Sequence, residues 1–277
     1  MLSFPVIKTA KERKSVRNYL QKPLTEDDRE KIRLCIDYVL GSPSPFGTKI
    51  RIRLFDVNEQ LDSKKLGTYG VIKNAKSYLG VAAEDDSEAM EAVGYTFEKL
   101  VLYAQSIGLG TCWLGGTFNR GEFAKAMEVT DREFFPIASP LGYAAPKSHT
   151  VDKIMRKAIK ADSRKPFEQL FFEKDFSHPL SQETSGEYAD WLEAVRLAPS
   201  AKNAQPWRIV KDGDSFHFYE KRDFGGLKHD IQRLDVGIAL CHFELMAKEK
   251  NISGHITRNE PGIDKGELIY VFSWVKD

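Results

Sequence analysis

The feature that most constrains the fold of this chain is an internal repeat. The motif PLTE at Pro23 recurs as PLSQ at Pro179, an offset of 156 residues, and farther along the offset becomes 143 residues. The matching pairs are Ile32 and Tyr188, Ile36 and Leu192, Val39 and Val195, Pro43 and Pro199, Ser44 and Ser200, Val93 and Val236, Phe97 and Leu240, Leu100 and Phe243, and Ala104 and Ala247. Two amphipathic helices can align by chance, but PL and PS motifs at one offset favour two similar units. Such units would most simply pack about a pseudo-twofold axis, like a homodimer whose subunits became joined.

Three segments of the first copy have the periodicity of regular secondary structure. Thr25 is placed to cap an amphipathic helix that ends near Gly41. Residues 49–57, KIRIRLFDV, alternate apolar with polar or charged side chains, which predicts a half-buried strand. Residues 87–110 carry a broad apolar stripe, which predicts a buried helix stopped by Gly108 and Gly110.

Composition excludes several classes of protein. The chain has 277 residues, of which 42% are hydrophobic and 29% charged, as is typical of a globular protein with one large or two smaller domains. Its net charge is +1, so we expect no nucleic-acid partner. No apolar stretch approaches the roughly 20 residues that span a bilayer, and the first residues lack a signal-peptide pattern. We therefore predict a cytoplasmic protein with no membrane partner.

Cysteine and histidine usage points to no metal site. The three cysteines are single and far apart, at Cys35, Cys112 and Cys241, and the six histidines show no ligand spacing. This pattern predicts neither a disulfide framework nor a zinc site.

The residues present in only one copy carry the functional signal. The segment ERKSVRNY sets Ser15 between Arg13 and Arg17, and two guanidinium groups with a hydroxyl between them suit a phosphate and its attached polar chain. A basic run of this length is also typical of a solvated helix face. Both interpretations remain open from the residues alone.

A second such segment is GLGTCWLGGTF, residues 108–118. A helix cap followed by a buried strand accounts for its first two glycines but not for Gly115 and Gly116, where backbone N–H groups could approach a flat or anionic ligand closely. Cys112 stands beside Trp113 with no base near it in sequence, so we expect the thiol to be buried in the core rather than a nucleophile.

Four motifs, RKSVRNY, GLGTCWLGG, SRKPFEQLFF and APSAKNAQPWRIV, together resemble the FMN-dependent nitroreductase family, and within it the divergent Thermotoga-type subgroup with two fused nitroreductase-like halves. The resemblance implies an α+β fold of two pseudo-twofold-related lobes, each with a small mixed or antiparallel sheet flanked by helices. The lobes would comprise residues 1–165 and 166–277 and would together form one compact unit.

The resemblance also implies a flavin site. The residues expected to bind FMN are Arg13, Ser15 and Arg17 with Arg164 and Lys165 at the phosphate and polar chain, Pro199, Ser200, Ala201 and Asn203 at the ring, and Gly115 and Gly116 near the flavin N5. No side chain is expected to be catalytic in itself, because the flavin N5 carries the chemistry. In the family's usual order the Pro-Ser turn precedes the glycine-rich segment, but here GSPSPFGTKIRI holds that place without the Asn or the Gln-Pro-Trp. We therefore expect one FMN per chain.

The function implied is electron transfer from NAD(P)H to a small organic acceptor such as a nitroaromatic or a quinone. One alternative function is an FMN-binding protein without turnover, used for storage or sensing. A second alternative is an α+β interaction protein whose motif matches are accidental. A monomer is preferred over a homodimer, because the ancestral subunit interface would lie within the chain.

Overall fold

A computed structural model describes residues 3–42, 44–57, 68, 70–146, 150–223 and 229–277. Packing divides the chain into two units, one formed by Glu12–Ala161 and the other by Pro5–Lys11 with Asp162–Asp277. In chain order the elements are α1 (Val6–Glu12), α2 (Glu26–Gly41), β1 (Ile50–Asp56), β2 (Ser77–Glu84), α3 (Ala89–Ser106), β3 (Gly110–Thr111), α4 (Arg120–Ala126), β4 (Glu133–Gly142), α5 (Thr150–Ala158), β5 (Phe171–Glu173), α6 (Ala189–Leu197), β6 (Trp207–Asp212), β7 (Ser215–Glu220), α7 (Ile231–Glu249), β8 (Gly254–Thr257) and β9 (Ile269–Lys276). The predicted α+β class is confirmed.

Unit 1 contains an antiparallel sheet of order β1-β2-β4-β3. The helix predicted from Thr25 is α2, and the Thr25 Oγ1 accepts the Asp28 N–H at 3.1 Å, which satisfies one of the free donors of the first turn. The strand predicted at 49–57 is β1. Helix α3 is buried along most of its length and ends before Gly108, whose φ of +83° is a conformation that glycine adopts without strain.

Unit 2 contains a five-stranded sheet of order β5-β6-β7-β9-β8, in which only β5 pairs in parallel with its neighbour. Helix α7 begins at the N-cap Asp230 and is buried along most of its length. An aromatic cluster joins this helix to the sheet and to α6, with ring centroids 4.7–5.4 Å apart between Phe243 and each of Phe216, Trp274 and Trp191. Apolar burial of this kind supplies most of the stabilising free energy of such a layer.

The two units repeat one topology. In each, a helix is followed by two strands, a second helix and two more strands, with α4 inserted between the last two strands of unit 1. The sheet order β1-β2-β4-β3 corresponds to β6-β7-β9-β8. At the offset of 143 residues, α3 falls on residues 232–249 of α7, and all the paired apolar residues of these two helices are buried. The sequence repeat is therefore also a repeat of structure. Pro43, one of its paired positions, lies outside the described residues.

Packing assigns Arg164 and Lys165 to unit 2, and the lobes of 1–165 and 166–277 that the resemblance implies stay a prediction. Over the residues that the structure describes, none of the helices combines the length and apolar character needed to cross a membrane. The same residues contain no group of three or more His, Cys, Asp or Glu side chains arranged to hold a metal ion. Cys35, Cys112 and Cys241 are buried and form no disulfide bond with one another.

Candidate functional site

The Arg13-Ser15-Arg17 segment is an extended strand-like stretch. Helix α1 ends at Glu12, after which Ser15 forms a parallel bridge with Thr111 and the Val16 N–H donates to the Thr111 carbonyl at 2.8 Å. Close approach here requires the neighbouring glycine, because a Cβ at Gly110 would lie 2.6 Å from the Val16 Cγ2. The alternative of a solvated helix face is therefore wrong for this segment.

The backbone at Arg17 is fixed from both sides. Its carbonyl accepts the Lys73 N–H at 2.9 Å, and the Lys73 carbonyl accepts the Tyr19 N–H at 3.0 Å. The Tyr19 hydroxyl donates to the Val16 carbonyl at 2.7 Å, and burial raises the pKa of Tyr19 well above its usual value, so this hydroxyl keeps its proton. These bonds hold the segment in one conformation against β3 and residues 70–73.

The two guanidinium groups of the segment have unsatisfied donors. Arg17 is 8% exposed and its Nη1 donates to the Asp152 Oδ1 at 2.8 Å, but the Nε atoms of Arg13 and Arg17 are buried with no hydrogen-bond partner among the described residues. Burial lowers the pKa of Arg13, and the nearby Arg156 and Arg17 lower it further, while Glu98 raises it. A surplus of positive charge with buried free donors suits an anionic ligand.

Two residues of the glycine-rich segment, Cys112 and Trp113, are anchored by hydrogen bonds. The Cys112 N–H donates to the Ser139 Oγ at 3.1 Å, and burial raises the pKa of the Cys112 thiol against the opposing effect of Arg17 and Ser15. The thiol is buried and protonated, as predicted for a core residue. Trp113 donates from Nε1 to the Glu98 carboxylate at 2.9 Å, which fixes the indole at the end of β3.

Gly115 and Gly116 differ in their surroundings. The Gly115 carbonyl accepts a hydrogen bond from Arg120 Nη2 at 2.8 Å, and the residue is half-buried. Gly116 is exposed, and a Cβ there would meet no atom of the described chain within 4 Å. Packing within the chain therefore does not require glycine at 116, and close approach of a ligand remains the interpretation that explains it.

The Pro199–Asn203 turn of unit 2 follows α6 and is held by a buried carboxylate. The Ala201 N–H lies 3.1 and 3.0 Å from the two carboxylate oxygens of Asp235 on α7, a residue that is 2% exposed. The Ser200 Oγ accepts the Gln205 N–H at 2.9 Å. Asn203 and Gln205 have φ values of +58° and +47°, a left-handed conformation that is strained for non-glycine residues and persists because these bonds over-determine it.

The structure places Arg164 and Lys165 against this turn. The Arg164 Nη1 donates to the Asn203 Oδ1 at 3.3 Å and its Nη2 donates to the Leu197 carbonyl at 3.2 Å. The Lys165 N–H donates to the Gln205 Oε1 at 2.8 Å. The Asn203 Nδ2 donates to the Ser163 carbonyl at 3.0 Å. Segment 163–165 and the turn therefore form one cross-linked cluster, in which Arg164 and Asn203 already make bonds that hold the backbone.

Positive charge also gathers at this cluster. Burial lowers the pKa of Lys165, and the neighbouring Arg208 and Lys221 lower it further, while Asp223 raises it. Arg208 is 7% exposed and donates to the Gln205 carbonyl at 3.0 Å. An anion beside the Lys165 ammonium group would counter these effects, because an opposite charge favours the charged form of lysine.

Three residues of this cluster were missed by sequence reasoning, namely Gln205, Arg208 and Asp235. Gln205 stands inside the quoted turn motif, so its motif position could have identified it. Arg208 stands in the same quoted motif, three positions after Gln205, whereas Asp235 lies on a helix with no local signal, and only packing brings it to the turn.

The predicted binding residues therefore fall into two sets. Unit 1 holds Arg13, Ser15, Arg17, Gly115 and Gly116, and unit 2 holds Arg164, Lys165, Pro199, Ser200, Ala201 and Asn203. In each unit the arginine or lysine positions bring positive charge to an irregular backbone segment, buried at Arg17 and half-buried at the other positions. That both sets serve one flavin stays a prediction.

Comparison with known proteins identifies the family. A family model described as "Putative TM nitroreductase" matches residues 5–247. A nitroreductase of Thermotoga maritima is 20% identical, with a TM-score of 0.60, and the alignment covers 99% of this chain and 95% of that one. This likeness shows the fold. An FMN-dependent nitroreductase of Clostridium difficile is 18% identical over 53% of this chain and 93% of its own, with a TM-score of 0.42.

A nitroreductase of Desulfovibrio desulfuricans, solved in complex with FMN, is 19% identical over 55% of this chain and 96% of its own, with a TM-score of 0.41. No curated protein matches the sequence significantly. The family model covers most of the chain, and the chain accordingly belongs to the nitroreductase family described as "Putative TM nitroreductase".

Proposed function

We propose that the protein is an FMN-dependent oxidoreductase that passes electrons from NAD(P)H to a small organic acceptor, a nitroaromatic, a quinone or a similar compound, with one FMN site per chain. The observation that carries the proposal is the pair of buried, unpartnered Nε atoms of Arg13 and Arg17, in the motif that resembles the family's phosphate segment. Family membership supports the same cofactor class.

The residues present fit an anionic flavin. Buried guanidinium donors without a partner are costly unless a ligand satisfies them, by about 1–3 kcal/mol for a neutral group and more for a charged one. The lowered pKa of Arg13 has the same cause, a buried cation lacking sufficient opposite charge. A phosphate monoester would supply both the charge and the acceptor oxygens.

Each set of residues has a distinct task in this proposal. Arg13, Ser15 and Arg17 would bind the phosphate and polar chain, with Arg17 also balancing negative charge that develops on the pyrimidine side of the ring. Lys165 would add a cation to the phosphate, and the Pro199–Asn203 turn would lie against the ring. When bound, FMN supplies a two-electron carrier that a nicotinamide can reduce and an organic acceptor can reoxidise.

The remaining task of the chain is to orient and shield the ring. The hydrogen bonds of Cys112 and Trp113 hold the middle of the glycine-rich segment, so the backbone of Gly115 and Gly116 would be positioned for contact near the flavin N5. No side chain is assigned a proton-transfer role, because none is required for the electron transfer.

The test is an FMN titration of the purified protein followed by anaerobic addition of NADH or NADPH. We expect one FMN per chain and loss of the oxidised flavin absorbance on reduction. A protein that takes up no FMN would refute the cofactor assignment, and two FMN per chain would refute the division of the site between the copies. A bound flavin that neither nicotinamide reduces would favour the alternative function of FMN storage or sensing.

A matched pair of variants tests the assignment of the turn. Asn203→Ala should weaken FMN binding, because the side chain joins the turn to segment 163–165. Ser44→Ala, at the corresponding turn of the first copy, should leave binding unchanged, because its Oγ accepts only a local bond from the Phe46 N–H among the described residues. Equal effects would contradict the assignment.

The proposal also includes a monomeric, cytoplasmic protein that binds neither nucleic acid nor membrane. The internal repeat supports the monomer, because one chain supplies both copies of the unit. Light scattering of the purified protein measures the oligomeric state, and a mass of two chains would refute the monomer.

A further inference from the structure

Asp152 on α5 has no part in the motifs that point to the flavin site, yet it lies against one of their residues. Its carboxylate is buried, 5% exposed, and its Oδ1 accepts from the Arg17 Nη1 at 2.8 Å. The two residues are 135 positions apart in sequence. A buried ion pair of this geometry constrains both side chains strongly, because breaking it would leave a buried charge without its partner.

We propose that Asp152 is a positioning residue of the flavin site, which holds the Arg17 guanidinium so that its Nε is presented to the anionic ligand. This inference rests on the proposed function. Two attachments define the position of Arg17, the backbone bond from the Lys73 N–H at 2.9 Å and the side-chain bond from Nη1 to Asp152. Between these two points the side chain has little freedom left, so less conformational entropy is lost when a ligand binds.

The way in which the carboxylate binds favours positioning over competition. A carboxylate that merely took the place of a ligand phosphate would be expected to occupy the free donors of the site. Asp152 instead binds at Nη1, and the Nε of Arg17 stays buried without a partner among the described residues. The donor that a ligand could use is therefore left available.

Charge in the cluster leads to the same conclusion. Helix α5 also carries Arg156, whose positive charge lowers the pKa of Arg13. Asp152 balances part of the positive charge but leaves Arg13 with a lowered pKa. The site thus retains attraction for an anion while Arg17 is held in place.

The test is a double-mutant cycle of FMN affinity, measured by quenching of flavin fluorescence, with Asp152→Ala, Arg17→Ala and the double variant. We expect Asp152→Ala to weaken FMN binding about tenfold, which corresponds to about 1.4 kcal/mol. In the Arg17→Ala background the same change should have no effect, because Asp152 acts through Arg17. Asp152→Glu, which keeps the charge on a longer side chain, should recover part of the affinity.

Two further variants complete the design. Asp131→Ala removes a charge from an exposed turn of the same unit and should leave FMN affinity unchanged. If Asp152→Ala does not fold, as judged by circular dichroism, Asp152→Asn in both backgrounds provides the same cycle, because it removes the charge and preserves the shape.

The outcomes separate this inference from the proposed function. If the wild-type chain binds FMN and Asp152→Ala binds equally or more tightly, positioning by Asp152 is refuted and the proposed function stands. Positioning would also be refuted if the fold-losses of FMN affinity in the two single variants multiply in the double variant, because the two residues would then act independently. A wild-type chain that binds no FMN would overturn both.

Discussion

The buried carboxylate of Asp235 provides the sharpest test of how the unit 2 turn is held. Both of its oxygens lie within hydrogen-bond distance of the Ala201 N–H, at 3.1 and 3.0 Å. Burial raises its pKa well above the usual value, and Asp230 and Glu220 raise it further, while the Ala201 N–H acts in the opposite direction. The side chain is therefore protonated over a wider pH range in the folded state than in the unfolded chain.

The magnitude follows from what each substitution removes. Asp235→Ala deletes the acceptor of a backbone donor whose residue is half-buried, so at pH 5 we expect the free energy of unfolding to fall by about 1–2 kcal/mol. Asp235→Asn keeps an acceptor oxygen in the same place. We expect this variant to lose less than about 1 kcal/mol at the same pH.

The pH dependence has a definite sign. Because the folded-state pKa is raised, the folded state retains a proton that the unfolded chain loses above about pH 4. The contribution of Asp235 to stability is therefore fully present below that pH and decreases as the pH rises toward the folded-state pKa, by up to about 1.4 kcal/mol per pH unit. Asp235→Asn removes this pH dependence of the free energy of unfolding. As the pH rises from 5 to 8, the stability of the variant should therefore increase relative to that of the wild type.

The assay is urea unfolding followed by tryptophan fluorescence. Three of the four tryptophans, Trp191, Trp207 and Trp274, are buried in unit 2, so the signal reports mainly on that unit. Asp37→Ala, an exposed aspartate, is the control. The reasoning is refuted if Asp235→Ala at pH 5 is no less stable than Asp37→Ala, or if Asp235→Asn and the wild type show the same pH dependence.

Three further predictions concern two glycine positions and the hydrogen bonds that Arg164 makes to the unit 2 turn. Gly110→Ala should lower the free energy of unfolding by about 2 kcal/mol or more, because its Cβ would lie 2.6 Å from the Val16 Cγ2. Calorimetry measures the change, and an unfolding free energy equal to that of the wild type would contradict the prediction. Gly116→Ala should leave the unfolding temperature unchanged, since its Cβ meets no described atom within 4 Å, but should weaken FMN binding in a titration; unchanged affinity would exclude close flavin contact there. Arg164→Ala should speed hydrogen exchange at residues 199–205 and weaken FMN binding several-fold, because its bonds to Asn203 and the Leu197 carbonyl are lost; exchange at the wild-type rate would show that Arg164 does not hold the turn.

Much of the fold could be predicted because its signals are local. The cap at Thr25, the alternation in β1 and the apolar stripe of α3 depend on residues within a few positions of one another, and each predicted element formed. The repeat added long-range information, since two similar segments predict two similar units, and the matching sheet orders confirm them.

Candidate binding residues were also identified from sequence, because they stand in short motifs that resemble a family. The side chains and backbone groups to which these residues are hydrogen-bonded in the fold were not identified from sequence. Sequence reasoning assigned Arg164 to phosphate, whereas the structure shows its guanidinium also bonded to Asn203 and the Leu197 carbonyl. The basic run at 13–17 was open to two interpretations until its pairing with β3 excluded the helix.

The sequence alone therefore predicted α2, β1 and α3, showed that the chain is a repeat, and supplied the motifs that resemble a flavin-binding family. Tertiary structure alone decided which side chains hold those motifs in place. Asp152 reaches Arg17 across 135 positions and Asp235 reaches Ala201 across 34. The physical reason is that the desolvation of a charged group, and the partner that compensates it, depend on packing between distant elements, which leaves no periodic or local pattern in the chain.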